Sequence, residues 1–264
     1  MEIINSLNNL KIKETVHLRK SGARREQGLM IIDGKREILA AIKAKMEIIR
    51  LFYCPELIKE GNGTMSDLLG ISPDKVVETS QSAFLKICYK ENPDGFLAVA
   101  KRPDLSLSRV KIAAQPLVVV LEAVEKPGNL GAIIRSSYAA GVDAIIINDN
   151  QTDIYSPNTI RASEGLIFNQ TIATATVEET VGWLNRHKIK SFAAATSAKQ
   201  DYWQADFKGG TALVFGSEAD GLTRKWLKAA GQSLKIPMRQ GVDSLNVSVS
   251  AALLIFEAKR QRRR

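Results

Sequence analysis

The feature that most constrains the fold is a series of short apolar runs in the second half of the chain. Six of these runs read as buried strands, and helix-like stretches separate most of them; they span residues 117–124, 144–149, 170–175, 190–196, 211–216 and 233–237. Strands that are apolar throughout and alternate with helices predict a parallel sheet covered on both faces. Such sheets bind ligands at the carboxyl ends of their strands, so a functional site is expected in those loops.

The first half of the chain reads as a smaller α/β unit of about 100 residues. Its pattern is a basic helix from residue 18, a strand at 29–33, a Gly turn, a helix to residue 42, a strand at 48–54, a helix at 57–61 and two strands in VVETS and FLAVAKRP. KRPDLSLSR has a Pro, two Ser and no periodicity, which is typical of a linker. We therefore expect two domains, residues 1–105 and 106–264.

Composition argues against several classes of protein. Apolar residues make up 45% and charged residues 25% of 264 residues, as in ordinary globular proteins. No apolar run reaches 18 residues, and the N-terminus lacks a basic start followed by an apolar stretch, so neither a membrane span nor a secretory signal is expected. Cys54 and Cys88 lack metal-ligand spacing and read as buried reduced thiols. These features predict a cytoplasmic protein without a metal.

The positive charge is concentrated in two places. The formal net charge is +9, and residues 11–36 hold eight basic but only three acidic groups. The last six residues, KRQRRR, add five more basic groups. Two local basic patches in an otherwise balanced chain predict a polyanionic partner. For the tail, a solvated end without a partner is an equally good interpretation.

The loop after the first apolar run is 125-EKPGNLGAIIRSSYAAG-141. Asn129 is a suitable N-cap for a helix that begins at Leu130. Arg135 lies away from the apolar stripe of that helix and should not enter the core. Two interpretations remain open: an exposed helical Arg, or a cation held at the mouth of the sheet near a helix N-terminus, where anions collect.

Polar residues also follow the fifth and sixth runs. In 215-FGSEADGL-222, Gly216 ends a strand and allows a ligand to approach the backbone, while Glu218 alone reads as a solvated carboxylate or a helix cap. In 236-IPMRQGVDSLNVSVS-250, Ser244 and Asn246 bracket a Leu between a strand and a helix, which a tight turn does not require.

Taken together and in order, these loops form a specific pattern. Asn-x₅-Arg, FGSExxGL and IPMxxxxxSLNVSVSxAL resemble the three motifs of the SpoU/TrmH family of RNA ribose 2′-O-methyltransferases, within the SPOUT class. The likeness covers the whole second half and includes 156-SPNTIRASEGLIF-168 as the connection between the second and third strands. LRKSGARREQGLMIIDGKREI is similar to the basic N-terminal substrate-binding domain of many members, whose fold is like that of ribosomal protein L30e.

The resemblance implies a fold and an activity. The fold is a C-terminal parallel-sheet α/β domain with a deep trefoil knot, preceded by a small L30e-like α/β domain. The activity is transfer of a methyl group from S-adenosylmethionine to a ribose 2′-hydroxyl in 23S ribosomal RNA. A transfer-RNA 2′-O-methyltransferase and an inactive RNA-binding member are the alternatives. A nucleotide-dependent oxidoreductase would need GxGxxG after the first strand, and EKPGNLG does not supply it.

The resemblance also implies roles for individual residues. The cofactor would contact Thr196, Gly216, Ile236, Met238 and Leu245, and the catalytic group would comprise Asn129, Arg135, Glu218, Ser244 and Asn246. RNA would be held by residues 11–36, which we call the basic window, and within it by Arg19, Lys20, Arg24, Arg25, Lys35 and Arg36. Because a guanidinium rarely gives up its proton, Arg135 is expected to grip a phosphate, orient the ribose and stabilise an alkoxide. The residue that accepts the hydroxyl proton is left open.

The last helix bears on assembly. Members of the family build their active site at a homodimer interface, against which this helix packs. Here an apolar stripe combines Val249, Ala252, Leu253 and Phe256. The same stripe would also suit a helix that simply covers the sheet, so the homodimer rests mainly on the resemblance.

Overall fold

The computed structural model describes residues 2–58 and 71–262, and it consists of two compact units. The first unit comprises Met1–Pro103 together with Asp153–Phe168, and the second comprises Asp104–Thr152 together with Asn169–Arg264. The sequence-based division placed all of 106–264 in one domain, whereas 153–168 packs with the first unit. Most of the helix predicted at 57–61 lies outside the described residues.

The first unit is built on a five-stranded mixed sheet with the order β1-β4-β3-β5-β2. Its strands are β1 (Glu2–Ile4), β2 (Leu29–Asp33), β3 (Ile48–Tyr53), β4 (Val76–Thr79) and β5 (Phe96–Lys101). Its helices are α1 (Leu10–His17), α2 (Ser21–Glu26), α3 (Lys35–Lys43), α4 (Gln81–Ile87) and α6 (Pro157–Ala162). β1, β4 and β3 run parallel, whereas β5 is antiparallel to both β3 and β2. Ile12, Phe52 and Phe84 are fully buried in a core between helices and sheet.

The second unit is built on a seven-stranded sheet whose pairings are all parallel, in the order β10-β12-β9-β11-β6-β7-β8. The strands are β6 (Leu117–Glu122), β7 (Ala144–Asn148), β8 (Ile172–Thr174), β9 (Lys190–Ala194), β10 (Gln200–Asp201), β11 (Thr211–Phe215) and β12 (Gln232–Lys235). The predicted parallel sheet is confirmed, and each predicted run overlaps a strand. β10 was not predicted, because two polar residues at an edge carry no apolar pattern. Strand order alone does not trace a knot, which stays a prediction.

The helices of the second unit are α5 (Pro127–Ala140), α7 (Val177–Arg186), α8 (Arg224–Ala229) and α9 (Val247–Arg262). α5 begins at Pro127, whose missing N–H costs nothing at the first helical position, and it ends at Gly141 in the left-handed conformation, φ 78°. The prediction that Asn129 caps a helix starting at Leu130 is therefore wrong. Asn129 lies inside the first turn, and its side chain is available for other contacts.

The basic C-terminal segment belongs to α9 and is docked as far as the structure describes it. Lys259 Nζ donates to the carbonyl of Ala140 at 2.8 Å, at the end of α5. The guanidinium of Arg262 donates to the carbonyls of Phe207 and Gln115 at 2.8 and 2.9 Å. These side chains tie α9 to the second unit, so the interpretation of a wholly solvated tail is wrong for them. Within the described ranges, no helix combines the length and apolar character needed to cross a membrane.

Candidate cofactor and catalytic site

A cavity of about 620 Å³ lies in the second unit at the carboxyl ends of β9, β11 and β12. Most of its wall is formed by three segments, with Ala194–Ser197 from the first, Phe215–Leu222 from the second and residues between Leu234 and Ser250 from the third, and Lys126 and Leu227 complete it. Strands of a parallel sheet end at one edge, which is why distant parts of the sequence meet here. The volume lies within the range of small-molecule sites, about 300–1,000 Å³.

The structure brings the predicted cofactor residues together. All five line this cavity, namely Thr196, Gly216, Ile236, Met238 and Leu245. Leu245 is 38% exposed although it is apolar, and so is Leu227 of α8 at 40%. Both line the cavity, so their exposed surface is available to the flat face of a ligand.

Gly216 is required by the backbone of its own loop. A Cβ at this position would lie 2.0 Å from the carbonyl carbon of Gly221 and 2.3 Å from the nitrogen of Leu222. The loop closes through the amide of Ser217, which donates to Gly221 O at 3.1 Å, and the amide of Gly221, which donates to Ser217 O at 3.2 Å. The sequence attributed this glycine to the approach of a ligand, whereas the group that approaches it is the chain itself.

A hydrogen-bonded network connects the three segments that carry the sequence motifs, at Asn129, Glu218 and Asn246. We call them the motif segments. Asn129 Nδ2 donates to Glu218 Oε1 at 2.5 Å, and Asn246 Nδ2 donates to Asn129 Oδ1 at 3.1 Å. Asn246 Oδ1 in turn accepts from the amide of Ser248 at 2.9 Å, in the first turn of α9. Because a carboxylate only accepts, the Glu218 contact fixes the orientation of the Asn129 amide, and that orientation also suits Asn246. One network therefore joins the three motif segments to one another.

Glu218 is the ionised group of this network. Partial burial raises the pKa of its carboxyl group, but hydrogen bonds from the Asn129 side chain and from backbone amides of Glu218 and Glu125 lower it more. The net result is a pKa below the ordinary value, so the carboxylate is charged at neutral pH. Lys126, the residue before α5, contributes further lowering and also lines the cavity.

The two remaining catalytic candidates occupy different positions. Ser244 lines the cavity. Arg135 is an exposed residue of α5 and does not belong to the cavity wall. It lies six residues beyond Asn129, which is about 9 Å along a helix axis. The network and the guanidinium are therefore far enough apart to contact the ribose and the adjacent phosphate of one nucleotide, respectively.

Several residues of the cavity wall were not predicted from the sequence. They include Lys126, Ser197, Asp220, Leu227, Asp243 and Ser250. Lys126 had a usable signal, because it immediately precedes the Pro127 that starts α5. Leu227 had none, because an apolar residue in a short helix reads as core.

The basic window of the first unit is only partly available to a ligand. Arg24 was predicted to contact RNA, and this is wrong: the residue is 4% exposed. Its Nε donates to Asp153 Oδ2 at 2.8 Å, and its Nη1 donates to the carbonyls of Leu18 and Arg19 at 2.7 and 2.9 Å. Arg102 binds the other oxygen of Asp153, also at 2.8 Å. These bonds hold the 153–168 segment in the first unit.

The other predicted RNA contacts lie at the surface to different degrees. Arg19, Lys20 and Arg25 are exposed. Lys35 is partly buried, and Arg36 forms ion pairs with Glu37 at 2.9 Å and Glu164 at 3.5 Å. Arg19, Lys20 and Arg25 therefore make the more suitable phosphate-binding group.

A parallel sheet with a cavity at its strand ends is the arrangement in which α/β proteins bind small molecules. The chain belongs to the SpoU rRNA Methylase family, whose pattern matches residues 116–256, while an MRM3-like substrate binding domain matches residues 9–98. This confirms the family expected from the three motifs. The protein is an RNA 2′-O-methyltransferase that uses S-adenosylmethionine.

Individual proteins show how far the similarity extends. The 23S rRNA (guanosine(2553)-2′-O)-methyltransferase RlmP of Bacillus subtilis is 27% identical over 260 residues, covering 98% of this chain and 100% of that protein. A solved RNA 2′-O ribose methyltransferase is 35% identical with a TM-score of 0.85, covering 98% and 99% of the two chains. An AdoMet-bound rRNA methyltransferase from Sinorhizobium meliloti is 27% identical with a TM-score of 0.89, covering 98% and 97%.

Proposed function

We propose that this protein methylates a ribose 2′-hydroxyl of 23S ribosomal RNA at the cavity of the second unit. The observation that carries the proposal is the network from Asn246 through Asn129 to Glu218, which joins the three motif segments. Glu218 and Asn246 of this network line the cavity. Similarity to the 23S rRNA enzyme of Bacillus subtilis along almost the whole chain supports this substrate over transfer RNA.

The cavity wall suits S-adenosylmethionine in shape and charge. When bound, this cofactor supplies an electrophilic methyl group on a positively charged sulfur. Ile236, Met238 and Leu245 offer apolar surface to its adenine ring, and backbone groups of the same loops can meet the edge of that ring. The ionised Glu218 places a negative charge in the wall, which favours a cationic ligand.

The catalytic residues act on the ribose. Arg135 grips the phosphate beside the target nucleotide and stabilises negative charge that develops on the 2′-oxygen. Asn129 and Asn246 are oriented by their mutual hydrogen bond and by Glu218, and they position the ribose. Ser244 adds a hydroxyl at the cavity wall. The 2′-oxygen loses its proton to water as it takes the methyl group, and fixed dipoles and the guanidinium stabilise the charge that develops on it.

We also propose that the protein is a cytoplasmic homodimer with a trefoil knot in its second unit. Support for the dimer comes from α9, where Val249, Leu253 and Phe256 are 48%, 38% and 48% exposed. The interpretation that this stripe covers the sheet is wrong for these three side chains. The residues of α9 that are buried are Val247, Ala251, Leu254, Ile255 and Ala258.

Tritium transfer tests the proposed activity. Labelled S-adenosylmethionine is incubated in separate reactions with 23S ribosomal RNA and with transfer RNA, both transcribed in vitro, and incorporated label is mapped to a ribose. We expect Arg135→Ala to bind the cofactor normally but to lose about a hundredfold or more in single-turnover rate. Arg135→Lys should not restore the rate, because Lys lacks the planar fork of donors. Label found only in transfer RNA, or none with a folded wild-type protein, would refute the substrate or the activity respectively.

A further inference from the structure

Trp203 is far more exposed than the other two tryptophans of this protein. The chain has three tryptophans. Trp183 and Trp226 are buried, at 5% and 0% exposure, whereas Trp203 is 51% exposed. The ring of Tyr202 stands against it edge-on, with the ring centroids 5.1 Å apart. The result is an aromatic pair, which we call the Tyr202–Trp203 platform, with one ring open to the surface.

The segment that carries the platform is firmly anchored. It forms a single 3-10 turn, Tyr202–Gln204, which directly follows β10. The next residue, Ala205, is buried, and its carbonyl accepts from Gln261 Nε2 of α9 at 3.0 Å. Gln261 also accepts from the amide of Phe207 at 2.9 Å, and Phe207 is fully buried. The exposure of Trp203 is therefore a property of a packed segment and does not reflect a loose loop.

The platform directly follows a strand whose neighbour in the sheet contributes to the cofactor cavity. β10 pairs with β12, with Gln200 opposite Leu234 and Asp201 opposite Lys235. Leu234 lines the cavity, and so does Ser197, which precedes Trp203 by six residues. Six residues of extended chain span at most about 20 Å, which sets the upper limit of the separation. Nucleotides that flank a target ribose in the cavity would reach this distance.

The charges around the platform are mixed. Lys199 is exposed, while Lys235 is 36% exposed and lies 3.9 Å from Asp201. Asp206 and Lys208 are both exposed nearby in sequence. These charges nearly cancel, so a polyanion is neither strongly attracted nor repelled. A ligand that binds here would therefore be recognised mainly by contact with the exposed ring of Trp203.

We infer that the Tyr202–Trp203 platform stacks an unpaired base of the RNA substrate next to the methylated nucleotide. Proteins that recognise single-stranded RNA stack splayed bases on aromatic side chains, because every base has a π-face. An exposed indole on an anchored turn, next to a strand that contributes to the cavity, supplies such a surface. The inference rests on the proposed function, since it requires that RNA reach this edge of the sheet. It adds an RNA contact in the second unit to those proposed in the first.

Two substitutions at one position separate stacking from ordinary apolar contact. Trp203→Leu removes the ring, whereas Trp203→Phe keeps an aromatic face. Affinity is measured by filter binding with a 23S ribosomal RNA fragment transcribed in vitro. We expect Trp203→Leu to weaken binding by between about 5-fold and 150-fold, and Trp203→Phe to weaken it much less. Cofactor affinity and thermal unfolding should not change, because Trp203 is exposed and does not line the cavity.

Fluorescence gives an independent reading. RNA should quench the emission of the wild-type protein by stacking on Trp203, and Trp203→Phe should abolish that quenching because the remaining tryptophans are buried. Equal affinities for the wild type and Trp203→Leu would overturn the inference, as would equal losses in both variants. A changed oligomeric state in Trp203→Leu would show that the platform contacts a second copy and would also overturn it. Methyl transfer by the wild type, measured in parallel, reports separately on the proposed function.

Discussion

Arg24 and Arg25 are neighbours on α2, and both are predicted from the sequence to contact RNA. In the structure we expect Arg24 to stabilise the fold and Arg25 to bind RNA. Arg24 is 4% exposed and bonded to Asp153, whereas Arg25 is exposed. Removing one partner of a buried ion pair costs about 3–5 kcal/mol. Arg102 still neutralises Asp153, so we expect the lower end, about 3 kcal/mol, for Arg24→Ala. Arg25→Ala should stay within about 0.5 kcal/mol of the wild type.

The two buried thiols of the first unit report on its unfolding. Both cysteines of the chain, Cys54 and Cys88, lie in it and are buried, whereas all three tryptophans lie in the second unit. Burial also raises the pKa of both thiols, so they react slowly with a disulfide reagent until the unit opens. A loss of about 3 kcal/mol should therefore speed labelling about 10²-fold in Arg24→Ala.

RNA binding supplies the converse measurement. Arg25→Ala should leave the labelling rate unchanged but weaken RNA binding and reduce its salt slope by about one unit, as expected for one lost phosphate contact. Labelling of Arg24→Ala at the wild-type rate would refute the structural role of Arg24. So would weaker RNA binding with a smaller salt slope while the thiols stay protected, because Arg24 would then contact RNA at the surface.

Three further outcomes follow from the second unit. Asn129→Ala removes the donor to Glu218 and the acceptor for Asn246, so single-turnover methyl transfer should fall by about a hundredfold; an unchanged rate would show that the network is dispensable. Gly216→Ala should abolish cofactor binding and lower the melting temperature, because its Cβ would lie 2.0 Å from the carbonyl carbon of Gly221; a normal cofactor affinity in calorimetry would contradict this. Phe256→Glu should convert a dimer to monomers in sedimentation velocity, because its side chain is 48% exposed on the α9 stripe; a wild-type protein that sediments as a monomer would remove the proposed interface.

The sequence by itself determined the fold class and the place of the site. Apolar runs such as 117–124 and 211–216 can be buried on both faces only within a covered sheet, which their strands confirm. Parallel strands end at one edge, so the polar loops after them had to meet there. For the same reason the five predicted cofactor residues line one cavity. The order of the motifs then identified the family.

Tertiary structure decided what individual polar residues do. Arg24 and Arg25 have the same chemistry and adjacent positions, and only a partner 129 residues away, Asp153, makes the first structural. Asn129 looks like a helix cap until Glu218 and Asn246 arrive from distant loops to bind it. Gly216 is needed because Gly221 folds back onto it. Local sequence carries hydrophobic periodicity, but a hydrogen bond or close approach between distant segments exists only once the chain has folded.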